Sequence, residues 1–265
     1  MSAAETCLWH ASDWIAWIDR SGDARDSVEP LVDVALAVNF TGRPPRDLSV
    51  VHKPGRTLLW RRLPETLRRT EPGEVDSAGR MRPEVPSYPR AGVLSAPGGR
   101  YLPRRFARAA GTAVGHRFPV YRSPLGVRYA SGGGLFGRAV FDDGTPAAWA
   151  VIELEVTPPL VGALPFITQA DGNGEFRLAL NRLPALTKDA PVTRYAASIG
   201  ARASLTAAQA WRLEQKTLVD PDLLTVVNVL DLADLSIRPG MVDRLHSAGG
   251  DDLVLQAIPP VPPNP

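Results

Sequence analysis

The chain has 265 residues, enough for one large or two ordinary domains with a sizeable buried core. Lys and Arg number 30 against 28 Asp and Glu, so a net charge of +2 gives no strong pull toward nucleic acid or a membrane surface. The single cysteine, Cys7, excludes an internal disulfide framework and a cysteine-based metal cluster within one chain, and 26 Pro with 23 Gly favour short strands and many turns over long helices.

Residues 1–30 read as an N-terminal arm. They lack the basic start and long apolar stretch of a secretory signal, and no run of about 18 apolar residues follows anywhere in the chain. The expectation is therefore a cytoplasmic protein when synthesised. Trp9, Trp14, Ile15, Trp17 and Ile18 gather apolar surface within ten residues. Ser12 or Asp13 can cap a short helix that carries Trp14, Trp17 and Ile18 at helical spacing. Such a helix packs on its own domain or serves as a docking arm, with Trp9, Trp14, Trp17 and Ile18 as interface candidates.

Residues 31–110 read as an irregular β domain. LVDVALAV (31–38), LSVV (48–51) and TLLWRRL (57–63) are strand candidates, with a Thr-Gly-Arg-Pro turn after the first. Residues 64–100 are dense in Pro, Gly, Arg and Glu without a sustained period, and read as long loops. GGRYLPRRFARAAG (98–111) is basic with interleaved aromatics. Its Arg104 and Arg105 are candidates for an acidic protein neighbour; the near-neutral net charge makes a dedicated nucleic-acid face the weaker reading. Residues 111–134 read as a linker, ending in the flexible SGGGL.

The span 135–230 carries the strongest pattern. LFGRAVF and AWAVIELEV flank Asp142-Asp143-Gly144-Thr145-Pro146, where Gly supplies positive φ and Pro pre-sets the chain. FITQ and EFRLAL flank Asp171-Gly172-Asn173-Gly174, a hairpin signal; Phe176, Leu178 and Leu180 share one face. Asp171, Asn173 and Glu175 imitate the start of a calcium loop but lack its later bidentate Glu, so the turn reading wins. Thr206–Gln209 fits a capping box before AWRLEQK, and LLTVVNVL (223–230) is a strand candidate. Residues 231–265 read as an extension whose IPPVPPNP end adopts polyproline II, making Pro259, Pro260 and Val261 further interface candidates.

The residues Gly137, Val140, Gly144, Pro146, Ala150, Ile152 and Leu154, then Thr168, Asp171, Gly172, Gly174, Phe176 and Leu178, fall in a spacing that resembles the carboxypeptidase regulatory-like domain. That resemblance implies a prealbumin-like β-sandwich used as a scaffold. VALAVNFTGRPPRDLSV (34–50) more weakly resembles openings in uncharacterised proteins of phage-tail-like and contractile injection gene clusters. The expected fold class is mainly β: two β-sandwich-like domains in series, the second prealbumin-like, with a short N-terminal helical arm and an extended Pro-rich C-terminal tail.

His10, His52, His116 and His246 show no zinc-protease spacing, and neither a nucleophile elbow nor a phosphate-binding loop motif occurs. The reading is a non-enzymatic protein with no cofactor and no metal. Its expected role is a structural component of a phage tail, baseplate or contractile-tail-like particle that meets other protein subunits and travels in a virion or released particle. The alternative is a carbohydrate- or protein-binding adhesion module, and a hydrolase with an unrecognised site stands third.

Overall fold

The computed structural model describes residues 9–21, 30–43, 46, 48–62, 88–110, 115–186, 190, 192–232 and 235–258. Sixteen strands and one short α-helix occur among them, so the chain is mainly β. It divides into two compact units. The first comprises Met1–Ile18, Leu31–Leu94 and Arg105–Pro119; the second comprises Asp19–Pro30, Ser95–Arg104 and Val120–Pro265. The two are interleaved along the sequence, where a simple series was expected.

Seven strands build the two sheets associated with the first unit: β1 (Trp9–Asp19), β2 (Ala37–Thr41), β3 (Leu48–Lys53), β4 (Arg56–Arg62), β5 (Tyr88–Ser95), β6 (Arg104–Ala110) and β7 (Gly115–Val120). One sheet has the order β3-β4-β1-β7 and the other β2-β5-β6. β3 and β4 form a tight hairpin over Pro54 and Gly55, with Lys53 opposite Arg56. Gly55 has φ +66°, and a Cβ there would lie 2.6 Å from that of Leu31, so both conformation and space require glycine.

The expected N-terminal helix is replaced by β1. Trp14 pairs with Leu58 and Ile15 with Thr57 across the antiparallel β1–β4 ladder. Three residues at helical spacing lose to a ladder because Trp and Ile are strand formers and β4 supplies the partner row. The consequence for the aromatic cluster is direct. Trp17 is fully buried, stacks on Phe118 at 5.6 Å, meets Phe106 edge-on at 5.5 Å, and donates its Nε1–H to Thr57 Oγ1 at 3.0 Å. Trp14, 40% exposed, lies over Gly115, where a Cβ would come within 2.2 Å of its ring. The strand–turn–strand pattern at 34–50 also resolves differently: β2 and β3 belong to separate sheets and do not pair as a hairpin. Most of the 64–100 stretch lies outside the described residues. The span 111–134 contains β7, which pairs with β1.

The second unit holds a nine-stranded sheet. Its strands are β8 (Gly134–Phe141), β9 (Val151–Thr157), β10 (Leu164–Gln169), β11 (Glu175–Ala179), β12 (Tyr195–Ala203), β13 (Thr225–Val229), β14 (Ser236–Ile237), β15 (Val242–Arg244) and β16 (Leu253–Ala257). The order is β10-β9-β12-β13-β16-β8-β11, with β14 on β12 and β15 on β8. Ile152, Leu154, Phe176 and Leu178 are buried as their alternation requires. Residues 231–258, read as an extension, supply β14, β15 and β16; Leu253 and Leu255 are fully buried. The short helix α1 (Leu205–Ala210) is capped by Ser204, whose hydroxyl accepts the Ala207 N–H at 3.2 Å, so Thr206 does not begin a capping box.

The turns lie where the glycines place them; the Gly144 turn closes a short antiparallel bridge of Val140 with Pro146, whereas the Asp171–Gly174 turn joins strands that do not pair. The Asp171 carboxylate accepts the N–H groups of Asn173 at 2.8 Å and Glu175 at 3.0 Å. The strands it joins, β10 and β11, stand at opposite ends of the strand order. Thr168 Oγ1 instead donates across to the Arg177 carbonyl at 2.7 Å. Gly174 fits this corner because its φ is +81° and a Cβ would sit 2.3 Å from the Ala139 carbonyl oxygen. Gly144 has φ +77° with open space around it. Gly144→Ala should cost about 1 kcal/mol, from backbone strain alone, whereas Gly174→Ala should cost about 3 kcal/mol or more because a clash is added. Urea denaturation of both variants of the full chain checks the ordering, and equal losses would contradict it.

Candidate functional site

Two polar networks fix the irregular segments of the second unit. Asp19 is buried and accepts from Tyr101 Oη at 3.0 Å, Arg122 Nε at 2.9 Å and the Ser21 N–H at 3.1 Å. Ser21 Oγ in turn accepts the Arg122 N–H at 2.9 Å. Arg104 is almost fully buried and donates from Nη2 to Asp220 at 2.5 Å and to Asp222 at 3.1 Å. Asp220 is placed by the Asp-Pro-Asp turn it caps, where its carboxylate accepts the Asp222 N–H at 3.2 Å. Nearby, burial pushes the Tyr121 phenol above its usual range, against the opposing pull of Arg202 and Arg104.

These placements sort the interface candidates. Trp17 and Ile18 are buried within the chain and Arg104 is consumed by an internal ion pair, so none of the three offers free surface. Trp14 and Arg105 are exposed, and Trp9 opens β1. Pro259, Pro260 and Val261 lie outside the described residues. His52, His116 and His246 are not brought together: His52 Nδ1 meets Thr57 Oγ1 at 3.3 Å, His116 Nε2 lies 3.9 Å from Asp13, and His246 Nδ1 donates to the Ser247 carbonyl at 2.9 Å. Among the described residues no group of three His, Cys, Asp or Glu side chains is placed to hold a metal ion. No helix among them is long and apolar enough to cross a membrane.

A different surface emerges on the outer face of β15, β8 and β11. Strand register puts Val242 and Ala179 beside Gly134, and Arg244 and Arg177 on either side of Phe136. Met241 joins them through its carbonyl, which accepts the Gly134 N–H at 2.9 Å. The Tyr129 ring covers Gly134, where a Cβ would come within 2.3 Å of it, and Tyr129 Oη donates to the Leu135 carbonyl at 3.1 Å. Phe136, Met241 and Val242 are each about two-fifths exposed, at 39%, 46% and 43%. Burial pushes the Tyr129 phenol up, offset by the charge of Arg177. Tyr129, Phe136 and Val242 thus share one face flanked by Arg177 and Arg244, with Met241 next to Val242 along the chain. Sequence reading missed it because Val242 and Arg244 come beside Gly134 and Phe136 only through the parallel β15–β8 pairing, across about a hundred residues of chain.

A second concavity lies along β9, β10 and β12. It encloses about 340 Å³ between Glu153, Glu155, Pro165, Ile167, Ser198 and Gly200. Gly200 leaves its floor open, with nothing within 4 Å of a Cβ position.

No family model matches the sequence, and no curated protein matches it. Among solved structures the chain is similar to the Streptococcal ancillary pilin at 10% identity, with a TM-score of 0.24. The likeness covers 94% of this chain and 62% of that one, so the chain spans less than two thirds of the pilin's length. A likeness at that level carries no argument about shared topology or role.

Removing a partner from the Arg104 network should be costly in an unequal way. Arg104→Ala leaves Asp220, 8% exposed, without its cation and should destabilise the protein by about 3–5 kcal/mol. Asp222→Ala should cost about 1 kcal/mol, since that carboxylate is 32% exposed and solvent already screens it. Chemical denaturation of the two variants measures the difference. The raised Tyr121 pKa adds a pH test. The folded state holds that proton longer than the unfolded state, so stability present below the ordinary tyrosine range is lost as pH rises through it. Denaturation midpoints taken from neutral to strongly alkaline pH should fall less steeply in Tyr121→Phe.

Proposed function

We propose that this protein is a non-enzymatic structural subunit that works through protein–protein contacts, as a component of a phage tail, baseplate or contractile-tail-like particle. The contact role rests on one observation, the patch of Tyr129, Phe136 and Val242 flanked by Arg177 and Arg244, with exposed Met241 adjoining Val242. Apolar residues scattered singly on a surface need no explanation, but contiguous ones mark an interaction site. The composition also fits, because aromatic residues, Met and Arg are the types enriched in protein interfaces. The rigid sheet beneath keeps the ordering cost of docking low. The particle class draws its support from the resemblance at residues 34–50.

The groove over Gly200 favours a second reading, an adhesion module for a carbohydrate or protein ligand. Its carboxylates, Glu153 and Glu155, stand beside Pro165 and Ile167, and Arg202 holds Glu153 at 2.8 Å. Such a mixture of apolar floor and fixed polar groups is what ligand grooves present.

The two readings part on two variants. Phe136→Ser removes the centre of the patch and should lower the fraction of the chain that co-sediments with the assembled particle by at least about tenfold, with the fold intact by circular dichroism. Gly200→Phe fills the groove and should leave that fraction unchanged. Normal incorporation of Phe136→Ser would overturn the contact role assigned to this patch. Glycan-array binding that Gly200→Phe abolishes would establish the adhesion reading.

A further inference from the structure

Three arginines from two parts of the second unit line one small pocket: Arg122 and Arg128 from the segment before β8, and Arg177 from β11. We propose that this pocket binds a tetrahedral oxyanion of the phosphate or sulfate class.

Charge comes first. The polar lining is completed by Ser21, Thr168 and Asn181, and no residue lining the pocket carries a carboxylate. Guanidinium groups stay charged at every accessible pH, so three arginines lining one pocket give it a net positive charge that a bound anion relieves. Arg128 and Arg177 make no ion pair among the described residues; Arg128 Nη1 reaches only the Leu125 carbonyl, at 3.3 Å. Arg122 is held by buried Asp19, through Nε at 2.9 Å and Nη2 at 2.8 Å. Asp19 therefore orients Arg122 while cancelling only one of the three charges.

The walls are built as well as charged. Asn181 ties down the backbone around Arg128: its Oδ1 accepts the Ala130 N–H at 2.9 Å and its Nδ2 donates to the Arg128 carbonyl at 3.3 Å. Thr168 Oγ1 donates to the Arg177 carbonyl at 2.7 Å. Two lining residues, Asn181 and Thr168, thus hold the backbone from which two of the arginines project, so little order has to be gained on binding.

Size and shape select the anion. The pocket measures about 120 Å³. One water needs roughly 10–15 Å³ of such space, so a compact oxyanion fits and a nucleotide does not. A carboxylate offers two oxygens and is satisfied by one bidentate arginine. Three arginines drawn from two chain segments match an anion with three or four oxygens.

Isothermal titration of the full chain with sodium phosphate and sodium sulfate, at constant chloride, tests the assignment. The expected result is saturable one-to-one binding, weakened at least about tenfold in Arg177→Ala and in Arg128→Ala, each losing one charged donor. Arg238→Ala, an exposed arginine outside the pocket, should leave binding unchanged. Absence of saturable binding, equal weakening by Arg238→Ala, or acetate binding as tight as phosphate would overturn the proposal. Circular dichroism and thermal melts of the variants separate lost binding from lost folding. A phosphate monoester and a sulfated sugar form two further arms: tighter binding than the free ion identifies a group carried on a larger ligand, and weaker binding identifies the free ion.

Discussion

The second unit depends on the ladder between β8 and β16. β16 runs parallel to β8, with Leu253 beside Ala139, Val254 beside Val140 and Leu255 beside Phe141, while its other edge pairs antiparallel with β13. Among the described residues it is the strand through which the β10-β9-β12-β13 half of the sheet reaches the β8-β11 half. The ladder continues past the strand end, where the Asp142 N–H donates to the Leu255 carbonyl at 3.0 Å. Leu253 and Leu255 fill the core from this position, both fully buried. A parallel pairing between segments so far apart in the chain carries a large loop-closure cost before it gains anything. The turns around it are correspondingly well specified: Asp143, Asp171 and Ser247 each bond backbone N–H groups that the sheet leaves unpaired.

That constraint explains which parts of the fold were legible in the sequence. Alternation in 135–180 located β8, β9 and β11, and their inward residues are buried, because period-two patterning is a local property written residue by residue. The turns at Gly144 and Gly174 were legible for the same reason. Pairing was not. The Asp-Gly-Asn-Gly signal fixes a reversal of the chain but not the partner strand, and β10 and β11 leave that reversal for opposite ends of the order. The aromatic N-terminus failed in the opposite direction, since Trp14, Trp17 and Ile18 match helical spacing by coincidence of three positions. The sheet decided, placing Trp17 in the core and Trp14 outside.

Candidate sites follow the same division. Arg104 and Arg105 are adjacent in sequence and identical in type, yet one is buried against Asp220 and the other is exposed. Nothing local separates them; their strand alternates faces, and the acidic partner arrives from more than a hundred residues away. The apolar patch and the arginine pocket are likewise products of topology. Phe136 is one unremarkable strand residue until β15 brings Val242 and Arg244 alongside it. Arg177 is one exposed arginine until the segment before β8 brings Arg122 and Arg128 to the same pocket.

Arg177 belongs to both surfaces, and this links them physically. It stands opposite Phe136 in the β8–β11 ladder and also lines the arginine pocket. An anion held there would draw the guanidinium toward the pocket and lower the positive potential around the aromatic patch. With the pocket filled, the neighbouring surface would be more apolar in character and better suited to an uncharged partner. With it empty, the same surface would favour an acidic one. Electrostatic complementarity governs encounter rate and partner choice more than final affinity. Occupancy of the proposed oxyanion pocket would therefore bias the charge of the partner suited to the adjoining face, with no movement of the sheet required.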